Sequence, residues 1–532
     1  MRTLYILASA LIICSTTFAQ HEYLDHPVDI LNYDVSIELE DSTDEIRVYE
    51  LITFKLDAPC DSFFIDLFSQ NDSTGMHLFP EILIDFENTK FRHENDRIWI
   101  HAKSEWEVGS VHEIKLFFTG VPETGLIIGK NKFGNRTFFG DNWPNRAHHW
   151  FACIDHPSDK ATIKYTVVAP VHYQCIATGK FLGRKLVNDG TKMKYDFVTS
   201  IDLPTKVMVI GVADFFWDLY KPDPGFDVSA WVYPENKEEG LSDMKVSLEV
   251  LDYFIEILGA YPFEKLANVQ STTQFGGMEN AGNIFYDENA VTGEGTMEAL
   301  IAHEVAHQWF GNSASEEDWP HLWLSEGFAT YLTDLYFEQK YGREVMNERL
   351  IGERIRVLNF AKNYDHPVVD TEYEELMHLL NPNSYQKGAW FLHMLREEVG
   401  DSSFFAGIRT YYKAYQYDNA NTEDFRKIME KVSESNLERF FLQWLYTPGH
   451  PILEIASDIK GKNAEIAIQQ MQEDHTFEFD LEIEVIFNNG ETELISIPVD
   501  SNKETFQFES RGRIKGYRID PNVKLLFEEV EY

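Results

Sequence analysis

The spacing of apolar residues changes twice along this 532-residue chain, and that change restricts the fold more than any other feature. From Tyr33 to about Asp214 apolar and polar residues alternate in short runs such as "YDVSIEL", "IRVYELITF", "HEIKLFF", "ATIKYTVVA" and "TKVMVIGVA", broken by Gly, Pro and Asn-Asp clusters. Period-two alternation is the pattern of half-buried strands, so this region reads as β-rich. After the loop "YKPDPGFD" at 220–227 the spacing becomes three and four residues. The stretch from Leu241 to about Tyr446 is therefore expected to be mainly helical, with stops at Gly259, Gly342 and Gly400. Beyond Pro451 alternation returns, and "FEFDLEIEVIF" and "ETELISIPV" flank the hairpin turn signal Asn489-Gly490. The expected fold is multidomain α+β: a β-rich N-terminal domain over 20–217, a mainly helical domain over 218–450 and a small C-terminal β-sandwich over 451–532. A chain of this length fits roughly two to four domains.

The first residues, MRTLYILASALIICSTTFAQ, place Arg2 before an apolar run from Leu4 to Cys14 and end in small residues. This is the pattern of a secretory signal over 1–19, cleaved after Ala19, and it predicts a secreted or periplasmic protein. The run is too short to span a bilayer, and no later stretch reaches the ~18 apolar residues a span requires, so no integral membrane segment is expected. Cys60, Cys153 and Cys175 allow one disulfide at most and imply none. Lys plus Arg total 46 against 88 Asp plus Glu, and the resulting net charge of −42 opposes binding to nucleic acid or to an anionic membrane. Oligomeric state leaves no trace in the sequence.

The chemistry concentrates in "MEALIAHEVAHQWFGN". Leu300, Ile301, Ala302, Val305, Ala306, Trp309 and Phe310 cover nearly every face of a helix, which should therefore be buried. His303 and His307 are four apart and stand one above the other. Buried ionisable groups are costly without compensation, and one divalent metal compensates both imidazoles. Zinc is the usual ion for imidazole nitrogen combined with carboxylate oxygen. Glu304 lies about 100° round the helix, badly placed to ligate but able to reach a water, which is the position of a general base. A second carboxylate among apolar residues, Glu326 in "WPHLWLSEGFATYLTDLYFEQKYG", follows His307 after the eighteen residues 308–325. His303, His307 and Glu326 make three protein ligands for one Zn2+ per chain and leave a position open, the arrangement of catalytic rather than structural zinc.

This two-part signature resembles the gluzincin metallopeptidases of the aminopeptidase N type, a family that includes the bifunctional leukotriene-hydrolysing aminopeptidases. The resemblance runs over roughly residues 30–455 and is strongest between 270 and 390. It implies that the helical domain is thermolysin-like. Gly276, Gly277, Met278, Glu279 and Asn280, in "QFGGMENAGN", match the family's exopeptidase motif, with Gly277 where many members have Ala. Two glycines let backbone approach an extended substrate, and Glu279 offers a negative charge to a free α-amino group. Tyr385, in "NPNSYQKGAWFLHMLREEVG", matches the tyrosine whose hydroxyl donates to the developing oxyanion. Asp141 falls near the position where the family commonly carries a glutamine that holds the substrate amine, and the resemblance implies that Asp141 is a second contact to that amine. Ser325 and His321 depart from the residues usual beside the zinc glutamate, and no counterpart of the large C-terminal helical domain of many relatives is expected after the sandwich. A site open to longer peptides is the corresponding expectation.

The expected function is zinc-dependent hydrolysis of the N-terminal peptide bond of peptides with a free α-amino group. Two alternatives remain at this point. A catalytically silent binding protein on the same fold would lack cleavage, and a zinc endopeptidase would ignore acetylation of the substrate. Nothing in these residues requires the epoxide hydrolysis of the bifunctional relatives.

Overall fold

A computed structural model describes residues 23–222, 226–473 and 475–530. The expected signal, residues 1–19, lies outside the described residues. The chain divides into two compact units, residues 1–319 with 412–421, and residues 320–411 with 422–532. The division thus runs through the segment expected to form the catalytic domain.

The first unit opens with a ten-stranded sheet whose centre is Val28–Glu38, paired parallel with Lys160–Pro170 and antiparallel with Ile46–Leu56. The alternation of the sequence is the alternation of its two faces: Ile30, Tyr33, Val35 and Ile37 are fully buried, while the residues between them are partly exposed. A four-stranded sheet carries Arg136–Asp141 between Gly125–Lys130 and Ile210–Ala213. A five-stranded sheet follows, in the order Phe216–Pro222, Asp227–Val232, Lys265–Ser271, Asn283–Asp287, Gly277–Met278. Its last three strands lie inside the stretch that the spacing assigns to helices. Lys265–Ser271 is paired parallel on both sides and buried from Leu266 onward, so both of its faces are inside and no alternation marks it. Gly277–Met278 pairs antiparallel with Asn283–Asp287 and forms the edge of the sheet. Helices Ser247–Leu258 and Glu298–Ala306 complete this part, and the first stops at Gly259, where φ is 112°.

The second unit is helical and then β. Helix Trp323–Tyr341 follows the short turn Trp319–His321 that contains Pro320, and it ends at Gly342 with φ 93°. Arg343–Ala361 follows immediately, and Gly388–Tyr415 is interrupted at Gly400, where φ is 78°. All three glycine stops coincide with conformations that favour glycine. Beyond Pro451 the strands form a four-stranded and a three-stranded sheet. Val485, Phe487 and Ile514 of the second sheet cluster with Ala464, Ile459 and Phe508 of the first. The Asn489-Gly490 turn joins antiparallel Phe479–Phe487 and Thr492–Val499, and Gly490 has φ 85°. Among the described residues no helix is long and apolar enough to cross a membrane, and Cys60, Cys153 and Cys175 are free.

Candidate active site

In the first unit the functional side chains gather where the helix Glu298–Ala306 meets the edge strand Gly277–Met278. Ile301, Ala302, Val305 and Ala306 are wholly buried, and of the polar residues between them Glu304 is buried while His303 is half-buried. Burial of an aliphatic side chain contributes about 1.5–3 kcal/mol. That is enough to hold the helix in place, but an uncompensated buried charge would more than cancel it. The helix ends at Ala306, one residue earlier than the histidine spacing implies, and His307 is its C-cap. Its backbone N–H still donates to the His303 carbonyl at 3.3 Å, so the two rings remain one turn apart.

His307 Nδ1 lies 3.2 Å from the Phe310 carbonyl oxygen, which can only accept. Nδ1 therefore carries the proton, and Nε2 turns its lone pair toward His303 Nε2, 3.1 Å away. Fixing one ring nitrogen on a backbone carbonyl is how metal-binding imidazoles are oriented. One carboxylate oxygen each from Glu279 and Glu304 lies with a ring nitrogen of His307 inside a group whose members are all within 4.8 Å of one another. Glu279 is 5% exposed and Glu304 4%. Two carboxylates beside two imidazoles concentrate negative charge and nitrogen lone pairs at one buried point, a donor set that fits a zinc ion and a substrate ammonium.

The glycines have separable reasons. A Cβ on Gly277 would stand 2.3 Å from Glu304 Oε1 and 2.6 Å from its Cδ, so glycine lets the strand pass over this carboxylate where it stands, and an alanine here would require the carboxylate to shift. A Cβ on Gly276 would meet nothing nearer than Leu300 Cδ1 at 3.9 Å. Because Gly277–Met278 is an edge strand, one side of its backbone is not used by the sheet, and an extended peptide can add there as a further strand. Asn280 is fully buried beyond this strand.

Sequence reasoning missed two residues of this site. Gln308 Nε2 donates to the Glu279 carbonyl at 2.7 Å and Asn312 Nδ2 donates to the same oxygen at 2.6 Å. Both are 0% exposed. The available signal was their polarity within an apolar run, the same signal that marks the histidines.

Asp141 ends the strand Arg136–Asp141 and is fully buried. Arg146 Nη2 donates to its Oδ1 at 2.7 Å, and the Gln274 backbone N–H and Thr273 hydroxyl donate to Oδ2 at 3.2 and 3.3 Å. Burial pushes this carboxyl above its usual range, and Arg146, Gln274 and Thr273 draw it partly back. Its charge is therefore matched within the chain, by a guanidinium. Two histidines of the same unit are held within the chain: His148 Nδ1 is 2.7 Å from Asp155, and His149 stacks on Phe68.

The second unit carries the other two residues. Glu326 is 3% exposed in the first turn of helix Trp323–Tyr341. The start of that helix is tied down by Thr422 Oγ1, which lies 2.9 Å from both His321 Nδ1 and Trp323 Nε1. Tyr385 is half-buried in a wide π-type turn, Asn383–Lys387, which runs into the helix from Gly388. A Cβ on Gly327 would be 3.0 Å from the Gly388 Cα, and one on Gly388 would be 3.0 Å from the Gly327 Cα. The glycines after Glu326 and after Tyr385 thus let the two segments touch backbone to backbone.

Residues 243–444 match the peptidase family M1 domain. The chain is 29% identical to glutamyl aminopeptidase of Bos taurus over 333 residues, 59% of this chain and 34% of that protein. It is 24% identical to probable aminopeptidase 1 of Sulfurisphaera tokodaii over 412 residues, 74% of this chain and 51% of that protein. With aminopeptidase M1 of Arabidopsis thaliana the identity is 28% over 342 residues, 61% of this chain and 38% of that protein. The chain therefore spans between about a third and a half of the length of these relatives.

Proposed function

We propose that this chain, whose residues 243–444 are a peptidase family M1 domain, is a zinc-dependent aminopeptidase that hydrolyses the first peptide bond of peptides with a free α-amino group. The observation that carries the proposal is the grouping of Glu279, Glu304 and His307 beside an edge strand. In this reading His303, His307 and Glu326 hold one zinc ion, with Glu326 assigned from its spacing in the sequence. When bound, zinc polarises the scissile carbonyl and makes water acidic enough to attack at neutral pH.

The chain's own residues do the rest. The peptide lies along Gly277–Met278 as an added strand, and its ammonium meets the Glu279 carboxylate, which stops the substrate one residue from its end. Glu304 accepts the proton of the attacking water and returns it to the leaving amine. The Tyr385 hydroxyl donates a hydrogen bond to the oxyanion as it develops. Asp141 and Arg146 hold Gln274, which lies just before this strand, so Asp141 acts here by fixing the loop. A catalytic domain over 218–450, a β-sandwich after it, and a secreted or periplasmic location belong to the same proposal.

The test is hydrolysis of a panel of aminoacyl fluorogenic amides with acidic, basic and apolar side chains, before and after chelation and after added zinc. Loss on chelation and recovery with about one zinc per chain are expected. Cleavage that survives complete removal of metal would overturn the zinc assignment. Bound zinc with no cleavage of any substrate would leave the silent binding protein as the better account.

A further inference from the structure

We infer that Gln308 and Asn312, the two polar residues that follow the His-Glu-x-x-His run, position Glu279 and thereby set the preference for free N-termini. The inference rests on the aminopeptidase reading and extends it to residues that touch neither substrate nor metal.

A carbonyl oxygen has two lone pairs, and both of those on Glu279 are taken by side-chain amides from one short segment: Gln308 Nε2 at 2.7 Å and Asn312 Nδ2 at 2.6 Å. This fixes the peptide plane that follows Glu279 and with it the direction in which its side chain leaves the backbone. The same Gln308 amide works at both ends. Its Oε1 accepts from the Gly282 N–H at 2.9 Å and from the Tyr261 hydroxyl at 3.4 Å, so one side chain grips the loop at residues 279 and 282. Its Nε2 is also 3.3 Å from the Glu304 carbonyl, and the Asn312 backbone N–H donates to the His307 carbonyl at 3.1 Å. Three further backbone bonds of the loop, Ala281 N–H to Val207, Asn283 N–H to Asn280 and Ala267 N–H to the Gly282 carbonyl, do not reach the His303–His307 segment. Gln308 and Asn312 therefore tie the amine-reading carboxylate to the turn that carries Glu304 and His307. An enzyme that removes a single residue needs that separation constant, because it decides which bond is presented to the base. Both side chains are wholly buried, so removing either leaves the Glu279 carbonyl with one side-chain amide donor in place of two.

The experiment compares the zinc-loaded full chain with Gln308→Met and Asn312→Ala on matched peptides bearing a free or an acetylated N-terminus. Each variant leaves one donor on the Glu279 carbonyl, and if one fails to fold the other still decides. The expected result in either variant is a KM for free-amine peptides raised about tenfold, kcat changed less, and a ratio of free to acetylated turnover lowered about tenfold. Zinc stoichiometry should equal that of the wild type. A fall in kcat with an unchanged ratio would overturn the inference and reduce both residues to packing. A wild-type enzyme that itself ignores acetylation would overturn the aminopeptidase reading, and this inference with it, before any variant is made.

Discussion

Glu279 and Asp141 are carboxylates buried in the same unit, and the family resemblance places both where a substrate amine would be met, yet their surroundings differ in kind. Asp141 is matched by Arg146 at 2.7 Å and by two further donors, so the chain itself uses its charge. Glu279 is grouped with another carboxylate and a histidine, and its backbone carbonyl accepts from Gln308 and Asn312. A carboxylate read from sequence does not disclose which of these two conditions it is in. In the proposed function the difference separates a residue that holds the loop from one that meets the substrate amine, and substitution tests it.

The largest effect is expected at Glu304. Glu304→Gln keeps the shape and removes the base, and kcat should fall by about 10²–10⁴-fold with bound zinc unchanged, as turnover and metal analysis would show. Near-normal turnover would remove Glu304 from its role. On the Asp141 side, Arg146→Met strands a buried carboxylate, and thermal and denaturant unfolding should report a loss of about 3–5 kcal/mol. Glu279→Gln should show the reverse pattern: stability within error of the wild type, and kcat/KM on free-amine peptides lower by roughly 10–100-fold through loss of a charge-assisted bond. If the two variants exchanged these signatures, the distinction drawn here would collapse. A smaller effect separates the glycines. Gly277→Ala places a methyl against the movable end of the Glu304 side chain and should lower kcat by no more than about threefold, a mild overpacking cost, whereas Gly276→Ala, with 3.9 Å of clearance, should be close to silent in the same assay.

The least effect concerns pH. Burial holds Asp141 above the usual carboxylate range, so the folded chain binds that proton more tightly than the unfolded chain does. Its contribution to stability is complete below the ordinary carboxylate range and is lost as pH rises through the raised folded value. Asp141→Asn should flatten that part of the stability profile whatever its effect on absolute stability, and an unchanged slope would show that Asp141 is not its source.

Periodicity disclosed the β-rich start because each half-buried strand shows one face to water, and three- and four-residue spacing with the punctuation at Gly259, Gly342 and Gly400 disclosed the helices. It did not disclose Lys265–Ser271, since a parallel strand buried on both faces has no polar side to alternate with. The His303–Glu304–His307 run was legible because polar residues inside an apolar helix demand an explanation. Gln308 and Asn312 carry the same mark, but their partner is a backbone carbonyl 29 or more residues away, and no local pattern records it. Gly327 and Gly388 carry no local sign in the sequence that their backbones touch. Asp141 was placed by resemblance alone, and nothing in its neighbourhood of sequence foretold Arg146 as its partner.

The most direct test of the central claim is the ratio of kcat/KM for one peptide with a free and with an acetylated N-terminus, measured on the zinc-loaded wild-type chain. The account predicts a preference of about a hundredfold or more for the free amine, because a buried carboxylate built to meet a cation penalises a substrate that lacks one. A ratio near one would contradict it, making Glu279 a bystander and the protein an enzyme that cuts within chains.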